Sequence, residues 1–96
     1  MRLPEALLEE LRRIFAQHPK VERVVLFGSW AAGTAKPYSD IDLAVWGLSP
    51  QEAARIALDL EELPFPYRFD VIAYTEALSP SLKIAILSGI EVFCKK

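Results

Sequence analysis

The sequence holds few of the residues that mark secreted, membrane-bound or nucleic-acid-coating proteins. It has one cysteine, Cys94, so no intramolecular disulfide is possible and nothing points to an oxidising compartment. No base stands near Cys94 in the sequence, and it reads as a small apolar packing residue rather than a nucleophile. The one histidine, His18, precedes Pro19 in a loop and reads as a surface residue. Basic charge is not in excess: 11 Lys and Arg stand against 13 Asp and Glu, a net charge of -2. A broad electrostatic grip on nucleic acid needs a basic face, so that class is disfavoured, and any polyanionic substrate has to be held locally. No apolar run approaches a membrane span, and Met1-Arg2-Leu3-Pro4-Glu5 lacks a signal-peptide core, so a cytoplasmic protein is expected. Repeats, linkers and low-complexity segments are missing too.

What is there is ordinary globular material. With 96 residues, 52% hydrophobic and 25% charged, the chain is expected to form one domain over residues 1–96 with a core of its own. Leu3, Leu7, Leu8, Leu11, Ile14 and Phe15 recur at helical spacing, with Pro4 near the first turn. Val21 to Phe27 is rich in β-branched and aromatic residues and predicts a strand stopped by Gly28. Ser29 to Gly33 suits a helical turn, and Asp40 to Trp46 a second strand. Ser49-Pro50-Gln51-Glu52 is a capping box that opens a helix with Ala53, Ile56, Ala57, Leu60 and Leu63 on its buried stripe and Pro64 at its end. Tyr67 to Tyr74 predicts a third strand, and Ser79-Pro80 opens a last helix through Leu82, Ala85, Ile86 and Leu87. Gly89 closes that helix, and Ile90 to Phe93 suits a short edge strand. Alternating helices and strands imply a sheet of three to four strands flanked by helices, an α/β (α+β) class.

Chemistry concentrates in two segments, Gly28-Ser29-Trp30-Ala31-Ala32-Gly33-Thr34 and Ser39-Asp40-Ile41-Asp42-Leu43. On a strand, Asp40 and Asp42 share one face while Ile41 and Leu43 enter the core. Like charges so close raise each other's pKa unless a cation sits between them. Mg²⁺ answers that need, since it binds through one or two carboxylates plus substrate phosphates and water. Asp40 alone has a plain explanation as a capping residue at a strand end. Asp42, between two apolar neighbours, has none, because an unpaired buried carboxylate is costly. The free amides of the turn after Gly28 suit an anion.

The compound pattern of Gly28-Ser29, ten intervening residues and Asp40-x-Asp42 resembles the signature of the nucleotidyltransferase superfamily that includes DNA polymerase beta and kanamycin nucleotidyltransferase. In size the chain is similar to the minimal nucleotidyltransferase (MNT) domains, and the resemblance covers Val21 to the C-terminus. It implies a mixed sheet with strand order 1-2-3. It also implies a Gly28-Ser29 turn that holds a nucleoside triphosphate, such as ATP, and Asp40 and Asp42 that hold two Mg²⁺ ions. A third carboxylate, Asp70 in Arg68-Phe69-Asp70-Val71-Ile72, is implied as metal ligand or base; the residues alone equally allow a surface pair with Arg68. Many minimal members carry arginines where this chain has Trp30 and Ala32. Trp30 is either a packing anchor or an exposed aromatic for a partner. Similar proteins pair with a helical HEPN-domain protein as the antitoxin of a toxin–antitoxin module, and some transfer AMP to that partner. The alternative is a non-catalytic module that neutralises a helical partner by contact alone.

Overall fold

The computed structural model describes residues 2–95. Eight elements follow one another: α1 (Glu5–Ala16), β1 (Arg23–Phe27), α2 (Ser29–Ala32), β2 (Ile41–Trp46), α3 (Pro50–Leu60), β3 (Phe69–Ala73), α4 (Pro80–Leu87) and β4 (Ile90–Cys94). They build one mixed sheet in the order β3-β2-β1-β4. β1 is antiparallel to both β2 and β4, and β2 is parallel to β3, with α3 as the crossover that a parallel pair requires. The order 1-2-3 is therefore present, with β4 added beyond β1.

The larger core lies on one face of the sheet. Leu7, Leu11 and Phe15, spaced four apart, point one row of α1 at the sheet and are fully buried. Ile41 and Leu43 of β2 and Ile56 of α3 meet them there. α3 starts as the capping box requires: the Ser49 hydroxyl accepts from the Glu52 amide at 3.1 Å, and the Glu52 carboxylate accepts from the Ser49 amide at 2.9 Å. Lys20 Nζ, 2.9 Å away, adds a cation and brings Glu52 down to about 2. Among the described residues no helix is long and apolar enough to cross a membrane.

The opposite face is covered more thinly. There Val25, Phe27 and Ala44 pack beneath Ile86 of α4, flanked by Trp46, Ile72 and Tyr74. Trp46 and Tyr74 stack with centroids 4.4 Å apart, and the Arg23 guanidinium lies 4.7 Å above the Trp46 ring. Of the apolar residues expected to bind α4 to the sheet, only Ile86 is buried. Leu87 is 57% exposed, and Ile84 and Ile90 are similarly open. A helix apolar on every side gives periodicity nothing to select, so its sequence leaves its inward face undefined.

The strands are shorter than the apolar runs that predict them. Val21, Asp40, Tyr67 and Tyr74 fall outside the ladders, although Tyr74 still donates to the Val45 carbonyl at 2.9 Å. α3 ends at Leu60, before Leu63 and Pro64, where Glu61 closes the last turn. Cys94 is exposed and does not pack as expected, standing at the end of the edge strand β4.

Candidate active site

β1 ends at Phe27, and across the sheet Phe27 faces Asp42, which faces Asp70 in the parallel register of β2 and β3. These three positions share the thinly covered face. The chain then turns at Gly28 with φ 76° and ψ -153°, a backbone that side chains rarely tolerate. A Cβ at Gly28 would collide with Asp42 Oδ2. The glycine thus lets the turn and the carboxylate lie against each other.

α2 is the single helical turn expected after Gly28. Its Ala31 and Ala32 amides donate to the Gly28 carbonyl at 3.2 and 3.0 Å. Among the described residues the Ser29 and Trp30 amides have no backbone acceptor. Gly33, at φ 80°, closes the turn in the left-handed conformation, and Thr34 donates back to the Ser29 carbonyl at 3.0 Å.

Asp42 is half-buried between the fully buried Ile41 and Leu43. No described side chain or amide pairs with it in a hydrogen bond or ion pair within the protein. Burial, then the charge of Asp70, then that of Asp40, push its carboxyl above the usual aspartate value. Asp70 is exposed on β3. Asp40 is exposed immediately before β2, at the level where the Ile41 amide donates to the Arg68 carbonyl at 2.9 Å. Among the described ion pairs Arg68 does not join Asp70, so the surface pair that the residues alone allowed is not formed.

Hard carboxylate oxygens without cationic neighbours are the donor set that Mg²⁺ takes. Among the described residues no three such side chains close a metal cage by themselves. An ion held by these carboxylates would need phosphate oxygens and water to complete its shell.

Beside the turn lies a cavity of about 400 Å³. Gly28, Ser29, Ala32 and Thr34 line one wall, and Ala85, Ser88 and Gly89 at the end of α4 line the other. The volume falls in the range of small-molecule sites. Sequence reasoning missed the α4 wall, whose only local signal is a cluster of small residues after an apolar helix. Among the described residues no cation lines the cavity: Ala32 contributes a methyl group, and Trp30 is turned away and 4% exposed. Trp30 is a packing anchor. Its Nε1 donates to the Ser39 carbonyl at 2.9 Å, and its ring meets Tyr67 edge-on at 5.5 Å.

Comparison with solved structures finds the same architecture elsewhere. A double Asp-to-Glu mutant of the toxin–antitoxin MntA-HpeT superposes with TM-score 0.72 at 23% identity, over 98% of this chain and 76% of that one. A tri-AMPylated Shewanella oneidensis HEPN toxin in complex with MNT antitoxin gives 0.70 at 19% identity, over 95% and 72%. A toxin–antitoxin with AMP-PNP gives 0.64 at 25% identity, over 98% and 76%. No curated protein sequence matches. The model of the family "Polymerase beta, Nucleotidyltransferase" matches residues 9–96, which takes in the turn, Asp40, Asp42 and Asp70, and every strand described. The chain belongs to the polymerase beta nucleotidyltransferase family.

Proposed function

We propose that this chain, acting over residues 1–96 as one minimal nucleotidyltransferase domain, transfers AMP from ATP to a hydroxyl of a helical HEPN-type protein. In this reading it is the antitoxin of a cytoplasmic HEPN/MNT pair. The observation that carries the proposal is Asp42, whose carboxyl is raised by burial and then by the charges of Asp70 and Asp40, and which packs against the Gly28 turn. Such a repulsive cluster has no use in a module that works by contact alone. The AMPylated HEPN toxin and the AMP-PNP complex among structures of the same fold support the choice of adenine nucleotide and partner.

The backbone amides around Gly28 and Ser29, with the Ser29 hydroxyl, orient the β- and γ-phosphates beside the cavity, whose small lining residues allow close backbone approach. Asp40, Asp42 and Asp70 would hold Mg²⁺, which when bound neutralises charge developing on the phosphoryl oxygens. The acceptor oxygen attacks the α-phosphorus and the bond to the bridging oxygen breaks. Pyrophosphate leaves, and the hydroxyl proton passes to Asp70 or, where Asp70 holds the metal, to solvent. Asp40 and Asp70 face solvent, which leaves them open to an acceptor carried by another molecule. One observation favours the contact-only alternative, namely that neither Trp30 nor Ala32 brings a cation to the cavity.

Mass spectrometry of the copurifying partner, before and after incubation with Mg²⁺ and ATP, decides between the two. Transfer of AMP by the wild type and not by Asp42→Asn is expected. A partner left unmodified yet inhibited equally by both forms would establish contact-only neutralisation.

A further inference from the structure

Trp30 is where three segments of the site meet, on the side of the sheet opposite the carboxylates. It directly follows Ser29 of the phosphate turn. Its indole N–H holds the Ser39 carbonyl, whose peptide leads into Asp40. Its ring edge rests on Tyr67, which begins the approach to β3 and Asp70. The Ile41 amide on the Arg68 carbonyl then ties the second and third segments to each other. We infer that Trp30 is a positioning residue that fixes the spacing between the phosphate turn and the carboxylates, through its hydrogen bond to Ser39 and its contact with Tyr67.

This inference rests on the nucleotidyltransferase reading above. The Asp40 segment has few other restraints. Residues 36–39 form a turn in which the Ser39 amide donates to the Lys36 carbonyl at 3.0 Å and the Ser39 hydroxyl accepts from the Lys36 amide at 2.9 Å. Both bonds are internal to the turn, so neither fixes it to the rest of the molecule. Tyr38 at its tip is 80% exposed. Among the described residues the indole N–H makes the one side-chain hydrogen bond from outside that reaches this turn. A buried indole N–H needs its acceptor, which makes the restraint reciprocal.

Trp30→Phe keeps the ring on Tyr67 and removes the hydrogen bond, and Tyr67→Leu does the reverse. ATP affinity is measured by titration calorimetry with Mg²⁺ and with EDTA, and amide hydrogen exchange is followed in the metal-free protein. In Trp30→Phe the gain in ATP affinity brought by Mg²⁺ should fall about fivefold, the worth of one neutral hydrogen bond, while affinity in EDTA stays unchanged. The Ser39 and Ile41 amides should exchange about fivefold faster, with Leu43 and Val45 unaffected. Tyr67→Leu should reduce the same Mg²⁺ gain. A lower melting temperature in both variants, with the wild-type Mg²⁺ gain intact, would reduce Trp30 to a packing residue and overturn the inference. A wild type that binds no ATP in Mg²⁺ overturns the nucleotidyltransferase reading, and the inference with it, before any variant is compared.

Discussion

Replacing Asp42 by Asn should stabilise the metal-free protein at neutral pH. Neighbouring strands lie about 4.8 Å apart, so the Asp42 and Asp70 charges stand roughly 5 Å from each other. Coulomb's law then gives about 0.8 kcal/mol at the dielectric constant of water and about 3 kcal/mol at an effective value of 20. Asp70 and Asp40 are exposed, so the lower end applies and about 1 kcal/mol is expected. In a domain of this size that raises Tm by about 4–8 °C. The pH dependence fixes the sign. A carboxyl raised in the folded state favours folding below its ordinary value, and that contribution is lost as pH rises through the raised value. The advantage of Asp42→Asn should therefore be full at pH 7.5 and shrink toward pH 4. Differential scanning calorimetry across that range, in EDTA, measures it directly. Adding Mg²⁺ and ATP at about 100 times Kd should stabilise the wild type by about 2.7 kcal/mol and leave the variant unmoved. A variant that melts several degrees below the wild type at pH 7.5 would refute the reasoning, since Asp42 would then be a structural hydrogen-bonding residue.

Three further substitutions probe the turn and the scaffold. Gly28→Val forces a side chain into a left-handed backbone and onto Asp42 Oδ2, so it should cost about 1–3 kcal/mol in stability and abolish triphosphate binding. Ser29→Ala removes one hydroxyl and should weaken binding less, and a larger loss at Ser29 in parallel titrations would show that the hydroxyl outweighs the backbone. Ser49→Ala opens the capping box of α3 at a cost of about 0.5–2 kcal/mol, read as a lower denaturation midpoint with unchanged ATP affinity. Glu52, held at about 2, acts with the opposite sign to Asp42: its contribution is present above the ordinary glutamate value and lost as pH falls toward 2.

The local features of this chain were legible in its sequence because their causes are local. Ser49 to Glu52 is a four-residue hydrogen-bond pattern, and Leu7, Leu11 and Phe15 mark one face at helical spacing. Gly28 and the Asp40/Asp42 pair were visible as exceptions, a break in an apolar run and a charge inside one. Other features depend on how elements meet. The register that sets Asp42 opposite Asp70 comes from pairing through a crossover, which only the family resemblance anticipated. Trp30 permitted both an inward and an outward reading, and the carbonyl of Ser39, a backbone atom with no sequence signature, decided it. Ala85, Ser88 and Gly89 become a cavity wall only once α4 lies beside the turn. The strand ends were overextended at Val21 and Tyr67 because apolar loop residues bury themselves without joining a ladder.

The sheet order carries a consequence for synthesis. β1 lies between β2 and β4, and residues 90–94 leave the ribosome long after residues 23–27. At about 5–20 residues per second, β1 waits several seconds with one edge unpaired. During that interval Val24, Val25 and Leu26 present open backbone groups beside apolar side chains, the combination that recruits foreign strands. The nascent chain thus depends on β4 to close a sticky edge. A synthetic peptide with the sequence of residues 90–94 would compete for that edge during translation and leave the finished, folded protein untouched.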